Sequence, residues 1–314
     1  IREADSAKAD SLFKDLESTS LLKQLPETRV EIEERERNYH TVITGNELQD
    51  LAAGLSANPF VFDLETTSLD TIIAEIVGFS FSWNDSEAYY LPVIAPDKKI
   101  TLALQEMLDV LKPIFENSSA KICAHNAKYD MMVLDKYGIK VNGLTFDTMI
   151  AAYLIDPDKR QFGLDSLSRE HLNITKIPTT DLIGTGKDEI NMTDIPLAQI
   201  SEYACEDADC TYQLWQKFEP LLKEQKLTKL FSEVEIPLIP VLLDMELTGI
   251  SLDRDFLKTM SIRMHSMMEQ LTKEIYELAG EEFNIGSPQQ LGNILFEKLE
   301  IQKELGIKRV KKTK

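Results

Sequence analysis

Two carboxylates stand at the end of an apolar segment, in the sequence PFVFDLETT. Asp63 and Glu65 are two residues apart, so in a strand both side chains face one side while Phe62 and Leu64 face the core. Carboxylates that share one side repel each other unless a cation lies between them. The segment therefore predicts a buried strand that ends at a cation site.

Two further pairs of polar residues have the spacing of neighbours on a helix. They are Asn126 and Asp130 in HNAKYD, and Tyr203 and Asp207 in YACEDAD. The members of each pair would share a helix face, and carboxylate ligands suit Mg²⁺ or Mn²⁺, whereas zinc favours His and Cys. Each pair alone is a weak signal, because acidic residues on helices and at strand ends are usually just exposed to solvent.

The elements that must position these residues follow from the pattern of apolar side chains. The segments YHTVIT, PFVFDLE, EIVGFSFSW and EAYYLPV predict strands, the last three an antiparallel meander. NELQDLAAGL predicts a helix with Asn46 as its N-cap. A helix over about 102–115, the short strand KICAH and a helix over 127–137 follow, which together predict a mixed α/β sheet with helices packed on it.

Beyond Asp147 the chain is predicted to be mostly helical. GLDSLSREHL predicts one helix, PTTDLIGTGKDEINMTD a loop, and PLAQISEYACEDADCTYQLWQKF a long helix. After a boundary near residues 220–224 only long helices are expected, with Asp253, Gly280 and Ser287 at their ends.

The composition describes an acidic globular chain. It has 314 residues, 43% of them hydrophobic, and a formal net charge of −19. This acidity argues against an indiscriminate binder of polyanions, because affinity for nucleic acids depends largely on Lys and Arg that neutralise phosphates. An enzyme acting on nucleic acid is still compatible with it, since metals held by carboxylates reverse the local charge.

The sequence contains no signal of secretion or of a membrane segment. Cys123, Cys205 and Cys210 form no C-x-x-C pair, so reduced thiols and a cytoplasmic location are expected. No apolar stretch approaches the ~18 residues that a transmembrane helix needs. The chain does not begin with Met and ends in KRVKKTK, so we expect an internal piece of a longer polypeptide.

Several residues near the motifs have structural interpretations. Glu206 and Asp209 flank the third motif away from its functional face and are expected to meet solvent. His125 is expected to be structural, and GTGK lacks the spacing of a phosphate-binding loop. A set of methionines at helical spacing is expected to pack: Met260, Met264, Met267 and Met268.

The order of the three motifs resembles that of the DEDDy class of exonucleases. The resemblance extends through TFDTMIAAYLID, LDSLS, EIPLIPVLLDMELTGISLD and GEEFNIGSPQQLGNILFEKL, and covers residues 12–314. Over this length the chain resembles the proofreading exonuclease domain and early thumb of bacterial DNA polymerases of family A. This resemblance implies a connector at 1–37 after a missing 5′ nuclease domain, a ribonuclease H-like exonuclease domain at 38–222, and a truncated thumb at 223–314.

The resemblance also implies a role for each residue of the site. Asp63 would bridge two divalent ions, Mg²⁺ or Mn²⁺, with Glu65 and Asp207 on the first and Asp130 on the second, partly through water. Two such ions ~3.5 to 4 Å apart can stabilise the attacking and leaving oxygens of a phosphoryl displacement. Tyr203 would orient the attacking water, since an ordinary pKa of ~10 makes it a poor base at neutral pH.

Substrate contacts are expected at two positions and a missing contact at a third. Leu69, in TTSLD, aligns with an apolar residue that wedges between the last two bases, although it could equally be an ordinary loop leucine. Asn126 is expected to contact the substrate. Thr179 stands where the family has an aromatic residue, so one stacking contact, worth ~1 to 3 kcal/mol per base, is expected to be absent.

These observations predict a monomeric 3′-5′ exodeoxyribonuclease that acts on DNA 3′ ends, does not bind membranes and releases 5′-mononucleotides. A ribonuclease D-like exoribonuclease would use the same carboxylates, but MELTGISLD and GSPQQLGNILFEKL resemble a polymerase thumb. A metal-free scaffold within a polymerase is the other alternative. Retention of the four carboxylates and the tyrosine argues against it.

Overall fold

The computed structural model describes residues 37–306 except 99, 101, 187 and 188. The predicted connector therefore lies outside the described residues apart from Arg37, and so does the basic segment that follows residue 306. The chain divides into two compact units, one reaching Thr248 and the other beginning at Gly249. None of the described helices is long and apolar enough to cross a membrane.

A six-stranded mixed sheet forms the centre of the first unit, in the order β1-β4-β3-β2-β5-β6. The strands β2, β3 and β4 are antiparallel, as the meander predicted, whereas the pairs β1 with β4, β2 with β5, and β5 with β6 are parallel. Their bounds are β1 Asn38–Thr41, β2 Phe60–Thr66, β3 Ile76–Asn84, β4 Glu87–Pro92, β5 Ile122–Ala124 and β6 Leu144–Asp147.

The strand β2 lies inside the sheet and is covered on both faces. Phe60, Val61 and Phe62 are each fully buried. In the register with β3, Asp63 lies opposite Ser80 and Glu65 opposite Gly78. A Cβ atom on Gly78 would lie 2.3 Å from the hydroxyl of Tyr90, so only glycine fits at this position beside Glu65.

Helices pack on this sheet. Their bounds in the first unit are α1 Gly45–Ala57, α2 Leu104–Phe115, α3 Ala127–Asp135, α4 Thr148–Ile155, α5 Leu164–Leu167, α6 Thr179–Ile183, α7 Leu197–Glu224, α8 Thr228–Leu230 and α9 Ile236–Thr248. The segment predicted as one helix is α5 followed by a π-helical turn, Ser168–Leu172. The predicted loop at 178–194 contains α6 and a 3₁₀ turn, Met192–Asp194. The long helix α7 continues through Pro220.

The N-cap of α1 is Thr44, so the prediction of Asn46 was wrong. The Thr44 hydroxyl accepts a hydrogen bond from the backbone N–H of Glu47, and the Glu47 carboxylate accepts one from the backbone N–H of Thr44 at 2.9 Å. This reciprocal pair satisfies two donors at once, which a single asparagine cap does not.

The middle of α7 has no exposed side chain, because every residue from Tyr203 to Thr211 is buried. The prediction that Glu206 and Asp209 meet solvent was therefore wrong. Asp209 accepts hydrogen bonds from the hydroxyl of Tyr39 and the backbone N–H of Ser86, both at 2.9 Å. These contacts link α7 to β1 and to the turn between β3 and β4.

Glu206 is satisfied by partners from two other segments of the chain. Its carboxylate accepts a hydrogen bond from the backbone N–H of Ile177 at 2.7 Å and lies 3.0 Å from the guanidinium of Arg37. A buried carboxylate needs such partners, since an uncompensated buried charge is strongly destabilising.

The second unit consists of helices: α10 Arg254–Ala279, α11 Pro288–Gly292 with a π-helical turn at Asn293–Lys298, and α12 Ile301–Glu304. The predicted ends are confirmed, with Asp253 and Ser287 as N-caps and Gly280, at φ 71°, after α10. The four methionines of α10 are 41–63% exposed, so the prediction that they pack was wrong for the described residues. Helical spacing aligned them on one face but did not supply anything to cover it.

Candidate active site

Three carboxylates from two elements meet at the end of β2. Asp63 and Glu65 come from the strand and Asp207 from α7, and one oxygen of each lies within 4.8 Å of the others. Phe62 and Leu64, on the opposite side of the strand, are buried in the core, as the alternation of a strand requires. The spacing of two residues in β2 and the packing of α7 on the sheet thus create one acidic cluster.

Burial and mutual repulsion raise the pKa values of this cluster. Burial first, and then the charge of Asp207, raises the pKa of Asp63 to about 7. Burial also raises the pKa of Asp207 to about 6, and that of Glu65 well above its ordinary value. The three carboxylates therefore do not all ionise readily unless a positive charge lies close to them.

Asp130 lies on α3 and is also buried. Burial, followed by the charge of Asp63, raises its pKa well above the ordinary value, while a hydrogen bond from the backbone of Leu64 opposes this. Asp130 is thus an electrostatic neighbour of Asp63, although it is outside the cluster of three.

Asn126 precedes α3 and does not share a helix face with Asp130, so that prediction was wrong. Its backbone is left-handed, at φ 62°, and its exposed side chain makes no capping hydrogen bond. The backbone N–H groups of Asn126 and Ala127 instead donate to the buried carboxylate of Asp147, at 3.3 and 2.8 Å. Asp147 also caps α4, and an aspartate directly before a helical segment was the signal that could have identified it.

Lys176 is the site residue that sequence reasoning missed. Its side chain is 1% exposed, and its ammonium forms an ion pair with Asp207 and lies 3.3 Å from Asp165. It also lies 5.3 Å from the centre of the Tyr203 ring. No periodicity in the segment NITKIP indicates a buried lysine, because lysine is ordinarily exposed.

Tyr203 is largely buried, and its hydroxyl shares a hydrogen bond with the hydroxyl of Thr179 at 2.8 Å. Burial, followed by the charge of Asp207, raises the pKa of Tyr203 above its ordinary value. The phenol therefore keeps its proton at neutral pH and can only act by donating or accepting hydrogen bonds. Thr179, where an aromatic residue was expected, contacts this hydroxyl directly.

Leu69 lies in the loop after β2 and is 93% exposed. The loop is attached to α3, because the hydroxyl of Tyr129 donates to the backbone carbonyl of Ser68 at 2.6 Å and shares a hydrogen bond with Thr66 at 2.5 Å. The ammonium of Lys136 donates to the carbonyl of Thr71, at 3.3 Å, and to that of Ala74. An exposed leucine on an anchored loop is available for contact with a ligand.

The cluster has donors that fit a divalent cation. Among the described residues, one carboxylate oxygen of Glu65, Oε1, is buried without a hydrogen-bond partner, an arrangement that requires an explanation. Within the described part of the chain, Oδ1 of Asp207 is paired only with Lys176. Oxygen donors that lack protein partners are typical of ligands for Mg²⁺ or Mn²⁺.

A mixed sheet with carboxylates on a central strand and on a helix packed across it defines a ribonuclease H-like nuclease fold. Residues 39–223 match the family model described as 3′-5′ exonuclease, and residues 254–314 match that of DNA polymerase family A. The chain belongs to the 3′-5′ exonuclease family of the family A DNA polymerases. The predicted family and fold class are confirmed.

A curated relative and two solved structures illustrate these similarities. DNA polymerase I of Chloroflexus aurantiacus is 41% identical over 258 residues, which cover 81% of this chain and 27% of that protein. The chain spans about a quarter to a third of the length of the first curated relatives that it matches.

The polymerase domain of Pol1 from M. smegmatis, in complex with DNA primer-template and dNTP, has a TM-score of 0.66 at 22% identity. This match covers 88% of the present chain and 42% of that chain. NrnC of Brucella melitensis has a TM-score of 0.51 at 19% identity, and the match covers 68% of this chain and 95% of that chain. Both similarities support the fold.

Proposed function

We propose that this chain removes nucleotides from the 3′ ends of DNA by metal-dependent hydrolysis and releases 5′-mononucleotides. The observation that carries the proposal is the cluster of Asp63, Glu65 and Asp207, in which a buried oxygen of Glu65 has no partner among the described residues. The family to which the chain belongs supports a 3′-5′ exonuclease, and the carboxylate ligands support Mg²⁺ or Mn²⁺.

Two ions would be held by different carboxylates of the site. Asp63, Glu65 and Asp207 would hold the first, and Asp63 with Asp130 the second. Bound divalent ions activate water as a nucleophile and stabilise the charge that develops on phosphate oxygens. The proposed ligands lie on β2, α3 and α7. The distances between these carboxylates are therefore set by the packing of the two helices on the sheet.

Other residues would position the substrate and the water. Tyr203, which stays protonated, would orient the attacking water through its hydroxyl. Leu69, on its anchored loop, would insert beside the terminal base, and Asn126 would contact the substrate from its exposed position directly before α3. Thr179 offers no aromatic face, so one base would lack a stacking partner.

The wider assignments belong to the same proposal. Residues 38–222 would be the exonuclease domain and 223–314 the start of a polymerase thumb, with a connector at 1–37. The parent would be a monomeric, cytoplasmic DNA polymerase I homologue that uses this domain for proofreading. The matches to polymerase relatives over most of the chain support this placement.

One observation favours a second candidate. The ion pair of Lys176 with Asp207 could hold the cluster together without any metal, in a domain that serves only as a scaffold. A single experiment separates the two. A 5′-labelled single-stranded DNA should shorten stepwise with Mn²⁺ and remain intact with EDTA, whereas a scaffold leaves it full length even at high protein concentration.

The same assay with an RNA oligonucleotide of identical sequence tests the ribonuclease D-like alternative. We expect faster digestion of DNA than of RNA. Faster digestion of RNA would contradict the proposed substrate while leaving the metal chemistry intact.

A further inference from the structure

Among the residues that the structure describes, Lys176 is the cation that forms an ion pair with the acidic cluster. Its ammonium pairs with Asp207 and lies 3.3 Å from Asp165, and its charge lowers the pKa values of Asp63, Glu65 and Asp207 against the larger effect of burial. A lysine that is 1% exposed cannot take its charge into solvent without a change in side-chain position. The cluster therefore has a cation of its own.

The backbone beside Lys176 is fixed to α7. The N–H of Ile177 donates to Glu206 at 2.7 Å, and Glu206 directly precedes Asp207 in the helix. Arg37 lies 3.0 Å from the same carboxylate and compensates its charge. Ile177 directly follows Lys176, and Glu206 directly precedes Asp207. The hydrogen bond between these neighbours therefore holds Lys176 close to Asp207.

Asp165 gives the same ammonium a second partner. Its side chain is 56% exposed, so its carboxylate is hydrated while Asp207 is buried. An ammonium that leaves Asp207 can stay paired at Asp165, and this avoids the large cost of an unpaired buried charge.

We propose that Lys176 is a built-in competitor of the metal ion: its ammonium compensates the charge of Asp207 in the metal-free protein, and an ion binds Asp207 only when Lys176 moves to Asp165 alone. This inference rests on the proposed metal site. It makes Lys176 a positioning residue that sets the metal concentration at which the site fills. The ion pair stabilises the metal-free protein, and it makes the affinity of the site for its ion weaker than it would be without Lys176.

The first test replaces Lys176 by an uncharged side chain of similar length. Lys176→Met should bind Mn²⁺ more tightly than wild type by about tenfold to a hundredfold, the range typical of residues that adjoin metal ligands. Isothermal titration calorimetry of the full chain measures this directly. Lys229→Met, an exposed lysine on α8, makes the same change in net charge and should leave the affinity unchanged.

Thermal melts in EDTA give a readout that does not depend on the metal. Lys176→Met should melt at a lower temperature than wild type, because the carboxylates lose their counter-charge, and Mn²⁺ should raise its melting temperature more than that of wild type. Unchanged Mn²⁺ affinity in this variant, or weaker affinity, would overturn the competitor role.

A second variant keeps the test decisive if Lys176→Met does not fold. Asp165→Asn, at the half-exposed partner, should weaken Mn²⁺ binding in the wild-type background, because the displaced ammonium then has no carboxylate to pair with. Asp158→Asn, at an exposed aspartate, makes the same change in net charge and should leave the affinity unchanged. Mn²⁺ binding by Asp165→Asn that is as tight as that of wild type, or tighter, would overturn the proposed exchange.

The outcomes also separate this inference from the proposed function. Mn²⁺ binding with equal affinity in wild type and Lys176→Met would contradict the inference and leave the exonuclease proposal standing. Tight binding with no DNA cleavage in either protein would support the inference and contradict the exonuclease proposal. Absence of Mn²⁺ binding in both proteins would overturn both.

Discussion

Asp63 interacts electrostatically with both Asp207 and Asp130. If it bridges two ions, Asp63→Ala should abolish nearly all turnover, because neither ion is then held in place. Tyr203→Phe keeps the ring and removes only a hydroxyl, so its loss should not exceed the ~10² to 10⁴ typical of positioned proton-transfer groups. Single-turnover cleavage of a labelled oligonucleotide at saturating enzyme should therefore show activity that decreases from wild type to Tyr203→Phe to Asp63→Ala.

Thermal melts are the control for these two variants, and both should fold. Removal of Asp63 from the metal-free protein relieves its repulsion with Asp207, so we do not expect destabilisation. Equal losses of activity in the two variants would contradict the division of labour between metal bridge and water positioning.

The raised pKa of Asp63 also predicts how stability depends on pH. Burial, and then Asp207, raises the pKa from 3.8 to about 7, so between these values the folded protein binds more protons than the unfolded chain. The free energy of unfolding therefore falls as pH rises through this window, and the contribution of Asp63 is lost above about pH 7. Asp63→Asn, which cannot ionise, should escape this loss.

Melts in EDTA at several pH values test this prediction. Asp63→Asn should be more stable than wild type at about pH 8, and the difference should narrow toward about pH 5. Asp70→Asn, at an exposed loop carboxylate, is the matched control and should follow the wild-type curve. A constant difference between Asp63→Asn and wild type at every pH would exclude titration of Asp63 as the cause.

The sequence predicted the acidic residues of the site because strand alternation and helical spacing are local properties. Asp63, Glu65 and Asp207 need only their own elements to be oriented correctly. Lys176 could not be predicted in the same way, since its burial depends on Asp165 and Asp207, which are distant from each other in the chain. Pairing of a buried charge is a property of the folded protein.

At the scale of elements, α3 connects the proposed metal ligand Asp130 to the loop that carries Leu69. Tyr129, on α3, bonds to Ser68 in the loop, and Asp130 follows it directly. Tyr129→Phe should free the loop at a cost of about 1 to 3 kcal/mol in stability, because the hydroxyl makes two hydrogen bonds, to Ser68 and to Thr66. Hydrogen exchange of residues 67–75 should become faster.

The variant should raise KM for single-stranded DNA more than it lowers kcat, because the carboxylates themselves are not altered. Tyr153→Phe, at a half-exposed tyrosine on α4, is the control. If exchange in residues 67–75 is unchanged in Tyr129→Phe, the hydrogen bond to Ser68 does not hold the loop.

The sheet and most helices could be predicted from apolar periodicity. Which of their faces are buried by other parts of the protein could not be predicted in this way. The burial of Glu206 and Asp209 was not predicted, because the periodicity of α7 identifies only its most apolar face. It does not show that other parts of the protein also cover the polar faces of the helix. The short helix α6 was assigned to a loop for a similar reason. Its residues from Thr179 to Ile183 have no buried side chain, so it lacks the apolar stripe on which the prediction depends.

At the scale of the whole molecule, the net charge of −19 opposes the approach of phosphates. Affinity for a nucleotide should therefore depend on the metal, which reverses the local charge. We expect deoxythymidine monophosphate to bind in the presence of Mn²⁺ and to show no measurable binding in EDTA. Calorimetric titration of the full chain checks this, and no cleavage step complicates the result.

Asp63→Ala supplies the comparison for this experiment. It should lose most of the Mn²⁺-dependent binding of the nucleotide, while Lys229→Met should retain it. Strong binding of the nucleotide in EDTA would mean that protein cations recognise the phosphate.

The complete burial of α7 between Tyr203 and Thr211 also limits how the gene can change in length. One inserted codon there would rotate all later side chains by about 100° relative to the sheet. An insertion before Asp207 would move this residue from its place beside β2, and an insertion after it would force other buried side chains into spaces shaped for their neighbours. By contrast, residues 156–161 form a mostly exposed loop after α4, where a longer insertion can project into solvent. We expect descendants of this sequence to accumulate insertions at that loop and to keep α7 at a fixed length.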